Sequence, residues 1–150
     1  MPQAGQRIRA SDVTRARPTT YYDQASGTLP ASSSAVDIPG ISISFTTEVA
    51  NADVTLWWTI QADPTAASTS ALISARPRIT APGGGTTDSP VYATYGPSGV
   101  AAEQATVSQS WATQLGVPGT YTIVVKGSTA ANQAINLYST LTVQVTEKFS

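Results

Sequence analysis

Alternation is the feature that most constrains what this chain can fold into. From residue 36 onward apolar residues recur at every second position, the mark of strands that bury one side. The stretch near the C-terminus is clearest. Ile135, Leu137, Leu141, Val143 and Val145 fall on one side, and Asn136, Tyr138, Thr140, Thr142, Gln144 and Thr146 fall on the other. Ile41, Ile43 and Phe45 alternate with Ser42, Ser44 and Thr46, and Val54, Leu56, Trp58 and Ile60 alternate with Thr55, Trp57, Thr59 and Gln61. Tyr121, Ile123 and Val125 alternate with Thr120, Thr122 and Lys126 in the same way, while Ala105, Val107, Trp111 and Leu115 share one side of a longer segment. Leu72 to Thr80 is a weaker strand, in which Pro77 predicts an edge or a bulge. Val91 to Tyr95 is a short strand, and no window of ten residues carries a helical stripe.

Turn chemistry separates these segments: Pro39-Gly40, Asn51-Ala52-Asp53, Ala81 to Gly85, Gly96 to Gly99, Pro118-Gly119 and Ala130 to Asn132. Seven or eight antiparallel strands with one buried side each predict an all-β fold, a two-sheet antiparallel β-sandwich of jelly-roll type over residues 31–150. The first 30 residues differ. Their apolar residues repeat at neither 2 nor 3.6, and Arg7, Arg9, Arg15 and Arg17 are half of the eight basic residues of the chain. Residues 1–30 therefore read as an extended N-terminal arm that makes electrostatic contacts, with a flexible tail as the alternative.

Composition removes several chemistries. The chain has no cysteine and no histidine, so disulfides, thiolate nucleophiles and imidazole acid–base work are absent. A net charge of -1 argues against nucleic acid as a partner. Residues 1–20 hold no apolar run of five, so no secretory signal peptide is expected, and no segment approaches the roughly 20 apolar residues of a membrane span. The nine carboxylates fall mostly at strand ends and turns and read as solvated, Asp63 and Asp88 among them. Asp88, in GGGTTDSP, reads as part of a flexible tip; the glycine run is followed by neither a helix nor the lysine of a phosphate loop. No catalytic residue, cofactor or metal is expected, and an enzyme acting on sugar through two carboxylates has no residue pair to support it.

Trp57 and Trp58 point to opposite faces because they are adjacent in a strand. If Trp58 fills the core, Trp57 faces out, as do Val124 and Tyr138. These three are the candidate subunit interface or ligand contact. A covering loop or arm, and carbohydrate stacking on Trp57, are the alternatives.

The opening AGQRIRASDV, Ala4 to Val13, resembles that of small structural virion proteins of tailed phages infecting actinobacteria. DIPGISISFTT from Asp37, EQATVSQSWATQL from Glu103, GTYTIVVKGS from Gly119 and LTVQVTE from Leu141 are similar to that group as well. The resemblance implies a particle component without enzymatic activity, made in the host cytoplasm and built into the virion. Arg7, Ile8, Arg9, Ser11 and Asp12 would attach it to other virion structural proteins, helped by Arg15 and Arg17. The sandwich would project as a knob in a homo-oligomer, a trimer by preference. It would serve as a tail fibre or minor tail protein, with capsid decoration or a head fibre as the alternative. A host-surface glycan is the further partner considered.

Overall fold

A computed structural model describes residues 15–66, 72–95 and 104–149. They form eleven strands: β1 (Arg15–Gln24), β2 (Gly27–Leu29), β3 (Ser32–Thr47), β4 (Ala52–Pro64), β5 (Ile73–Thr80), β6 (Thr86–Asp88), β7 (Ala93–Tyr95), β8 (Ala105–Leu115), β9 (Gly119–Thr129), β10 (Gln133–Ile135) and β11 (Thr140–Phe149). All pairings among them are antiparallel.

The pairing has a simple logic. The chain turns at Ala81 to Gly85, where Ala81 N–H donates to Gly85 O and Gly84 N–H to Ala81 O, both at 2.8 Å. Pairs then nest outward from that tip. Thr80 faces Thr86, Ile73 faces Tyr95, Ala62 faces Ala105 and Thr47 faces Gly119. Leu29 faces Gln133 and Arg15 faces Phe149. The described chain is thus one long hairpin, and the glycine run is its tip. Rolling it up adds the second set of pairs, β11 and β10 against β4, and β5 against β9. Two sheets result, β1-β11-β4-β8 with β10 and β2 alongside, and β3-β9-β5 with β6 and β7 at its edge. This is the jelly-roll sandwich that the alternation predicted.

Both sheets turn their apolar sides to one core. Leu56, Trp58, Ile60, Ile123, Leu141 and Val143 are almost fully buried there, each contributing roughly 1.5–3 kcal/mol by burial. Tyr21 stacks on Phe45 at 5.2 Å and Phe45 on Tyr121 at 5.9 Å, an aromatic row that crosses from the first sheet to the second. The Tyr121 hydroxyl donates to Val117 O at 2.7 Å.

Four expectations are corrected. Residues 15–30 are not a free arm. β1 pairs with β11 along its whole length, Tyr21 packs on the core, and Ala25 and Leu29 are fully buried. Pro39-Gly40 is not a turn between segments but lies inside β3, at a register shift between Asp37 and Ser42. β3 is an edge strand, so a proline without N–H is tolerated, and Gly40 at φ 85° forms the bulge. The last alternating segment is broken at 136–139, so Leu137 and Tyr138 sit in an exposed turn rather than on a strand. Ser139 explains the break. It is fully buried, accepts from Gln61 N–H at 2.8 Å and donates to Gln61 O at 3.0 Å. Pro77 marks neither an edge nor a bulge: β5 is flanked on both sides and pairs with β9 without a register shift, and the missing N–H falls where its outer partner changes from β7 to β6.

A Cβ on Gly40 would stand 2.9 Å from Ser26 N and 3.2 Å from Ala25 Cα, both backbone atoms, besides the strain of positive φ. Gly40→Ala is expected to lower unfolding free energy by about 1–3 kcal/mol in urea titration. Gly85→Ala, which meets nothing within 4 Å, should change it by less than about 0.5 kcal/mol.

Candidate functional site

Register decides which side chains share an outer face, and the two outer faces differ in kind. On the first sheet, Tyr22, Thr142, Trp57 and Ser110 form one row across β1, β11, β4 and β8. Tyr22 is 60% exposed and Trp57 44%. The rows on either side, Gln24 to Ser108 and Thr20 to Ala112, hold only Thr, Gln, Ser and Ala. The Thr59 and Ser108 hydroxyls bond at 2.6 Å across β4 and β8. Among the described residues charge enters this face at its two ends: Asp63 lies at one end of β4, and at the other Lys148 Nζ meets Asp53 at 2.5 Å while Gln114 Nε2 donates to the same carboxylate at 2.9 Å. The Lys148 bond, then the Gln114 bond, hold the Asp53 carboxyl below its ordinary range.

The outer face of the second sheet is charged. Asp37, Lys126 and Arg76 share one row, and Ser42, Val124, Arg78 and Asp88 the next. Arg78 grips Asp88 through Nε at 2.5 Å and Nη2 at 2.9 Å, while Arg76 reaches it at 2.8 Å and lies over the Tyr92 ring at 4.5 Å. Lys126 pairs with Asp37 at 2.6 Å. Asp88 is therefore not part of a flexible solvated tip: it belongs to β6, and two guanidinium groups hold it. The Arg78 hydrogen bond chiefly keeps its carboxyl below the ordinary range, outweighing desolvation. Reciprocally, Asp88 pushes Arg78 up.

Other carboxylates also serve as tethers. Glu147, 9% exposed, accepts Glu48 N–H at 2.5 Å and Val49 N–H at 3.3 Å, tying the β3–β4 turn to β11. Asp23 accepts Ser42 N–H at 2.9 Å, linking β1 to β3. Among the described residues no three metal-ligating side chains gather. A cavity of about 170 Å³ lies at the end of the sandwich, lined by Ile79, Leu115, Val117 and Tyr121 among others. A polar cleft of about 300 Å³ opens between β7 and β8, along Tyr92, Thr94, Thr106 and Ser108.

The three residues singled out for contact do not meet. Trp57 lies on the outer face of the first sheet, half-buried Val124 on that of the second, and Tyr138, 73% exposed, in the β10–β11 turn. Tyr22 shares the row of Trp57 with Thr142 between them, which the sequence hid because register is set by distant pairings. Arg7, Ile8, Arg9, Ser11 and Asp12 lie outside the described residues. Arg15 is paired in register with Phe149, and the Arg17 guanidinium lies over the Phe149 ring at 4.9 Å.

No family model matches the sequence, and no curated protein does. Solved structures do share the fold. A chain of infectious bursal disease virus, Gt strain, superposes with a TM-score of 0.53 at 12% identity, over 100% of this chain and 42% of that one. The Gx strain gives 0.53 at 14% identity, over 97% and 37%. Murine APRIL at pH 8.0 gives 0.53 at 10% identity, over 86% of this chain and 98% of its own. This chain thus spans well under half the length of the viral chains it matches. At such identities the likeness is one of fold, the jelly-roll sandwich.

Because the Asp88 carboxyl is depressed in the fold, its contribution is present above the unfolded carboxylate range and is lost as pH falls through the folded value. Asp88→Asn should cost about 1 kcal/mol at neutral pH. The gap between wild type and variant should close on acidification below about pH 4, as read by thermal unfolding across pH.

Proposed function

We propose that this chain is a non-enzymatic structural protein of a phage virion, attached by its N-terminal leader and projecting its sandwich outward. The observation that carries this reading is a division of labour in the charges. The described carboxylates Asp23, Asp53, Asp88 and Glu147 are spent on holding turns and strands. Arg7 and Arg9 precede the first strand and stand in the AGQRIRASDV opening. Arg15 and Arg17 fall within β1, so the attaching set narrows to Arg7, Ile8, Arg9, Ser11 and Asp12. Guanidinium groups there suit a carboxylate-lined groove on another virion protein. The sandwich joins copies of itself, and its position is the tail, as a fibre or minor tail protein. The fold shared with virus structures supports the second position, decoration of the capsid.

A narrower second reading rests on the Tyr22–Trp57 row. Two aromatic rings among hydroxyl and amide side chains are the chemistry on which a sugar ring stacks. A glycan array separates the two. Binding lost on Trp57→Ala favours a host-surface sugar, and no binding by wild type removes this second reading.

Deletion of residues 1–14, which stops short of β1, should leave a folded β domain with an unchanged spectrum of backbone absorption. That domain should be missing from purified particles. Incorporation at the wild-type level contradicts the attachment.

A further inference from the structure

Each sheet of a sandwich ends in strands whose outer N–H and C=O groups lack a partner, and proteins blunt such edges with charge, proline, bulges or shortness. Most edges of this molecule are blunted in that way. β1 carries Arg15, Arg17 and Pro18. β3 carries Asp37 and Pro39 and two register shifts. β2, β6 and β7 are three residues long. β8 has none of these devices in its own sequence, and Tyr92 and Thr94 flank it across the polar cleft at Thr106 and Ser108 without pairing to it. It runs eleven residues, ATVSQSWATQL, without charge or proline. It pairs with β4 without a register shift from Ala52–Leu115 to Ala62–Ala105, and among the described residues no strand pairs with its other edge. Ser110 N–H is capped by the side chain of its own neighbour, Gln109 Oε1, at 3.2 Å, so it is not spent on β4. By the alternation of an antiparallel ladder, the N–H groups of Thr106, Ser108, Ala112 and Gln114 face the same open side.

We propose that two copies of this chain join there, β8 against β8, antiparallel about a two-fold axis at Ser110. This inference rests on the self-assembling reading above and puts a closed pair in place of the trimer expected from the sequence. The occupant follows from chemistry. The strand matches itself: about Ser110, Ala105 meets Leu115, Val107 meets Thr113 and Gln109 meets Trp111 on the core side. Ser108 meets Ala112 and Thr106 meets Gln114 on the outer side. No like charges oppose, because the strand has none. The N-terminal segment of a neighbour is a poorer occupant, since it would bring Arg7, Arg9 and Asp12 to an edge with no charge to receive them. The joined first sheets form one continuous sheet, with the two Trp57 rows on a common uncharged face. A closed two-fold contact also consumes both free edges, so growth stops at two.

The test is the mass of the full-length chain in solution, by light scattering on a sizing column. The wild type should have twice the 15.5 kDa of one chain. Ser110→Pro removes the donor at the axis and Ser110→Lys sets like charges across it; both should halve the mass. Ser110 is exposed and on an edge strand, so both variants should keep the wild-type circular dichroism. If the proline variant does not fold, the lysine variant decides. Since the chain has no other cysteine, Ser110→Cys should form an interchain disulfide on mild oxidation, the Cα separation of a hydrogen-bonded pair being about 5.5 Å. A mass of one chain for wild type, or a doubled mass that both variants keep, overturns the seam. So does a doubled mass that deletion of residues 1–14 abolishes. A mass of three chains also overturns the seam but leaves the particle reading standing, which particle incorporation tests separately.

Discussion

Every long strand of this molecule must hide one side and show the other, and that single demand organises the rest. A lone hairpin cannot meet it, because both of its faces stay wet. Rolling the hairpin on itself brings the apolar sides of both sheets together, and Trp58, Leu141 and Ile123 then close the middle. The nested pairs about Ala81 to Gly85 leave few other ways to satisfy all the strands at once. Positions that depart from regular strand geometry serve this roll. Gly40 bends an edge strand past Ala25 and Ser26, and Ser139 interrupts the last strand to hold β4.

The outward sides inherit a different constraint. With 61 Thr, Ser and Ala residues in 150, most outward positions are small or hydroxylated. Hydroxyls pair between neighbouring strands, as Ser44 does with Thr122 and Thr46 with Thr120, each at 2.9 Å. Among the described residues the few charged groups are gathered on the second sheet, or hold turns, or lie at the ends of the first. The first sheet is left with a broad uncharged surface, two aromatic side chains on it and an unblunted edge beside it. Such a surface suits contact with another protein better than life in open water.

Alternation made the strands legible in the sequence, since burial of every second residue needs only local pattern. Non-local events escaped it. Tyr21 and Tyr22 lie beside no repeating neighbours, so only their pairing with β11 reveals a strand. Pro39-Gly40 reads as a turn because the sequence does not say that β3 is an edge. Asp88 reads as solvated because Arg76 and Arg78 are brought to it by the hairpin tip, ten or more residues away in sequence. Trp57 was correctly placed facing out by parity alone. That Tyr22 shares its row across Thr142 required register, and so did the separation of Val124 and Tyr138 from it.

The proposed function assigns the grip on another virion protein to the basic segment ahead of β1 and leaves the body of strands to project. A reconstruction of the particle containing this chain tests that most directly. The account predicts sandwich density outside the main wall of the tail or head, with Arg7 and Arg9 against acidic groups of another virion protein. Residues 1–14 lying wholly on their own sandwich, or particles without this chain, would contradict it.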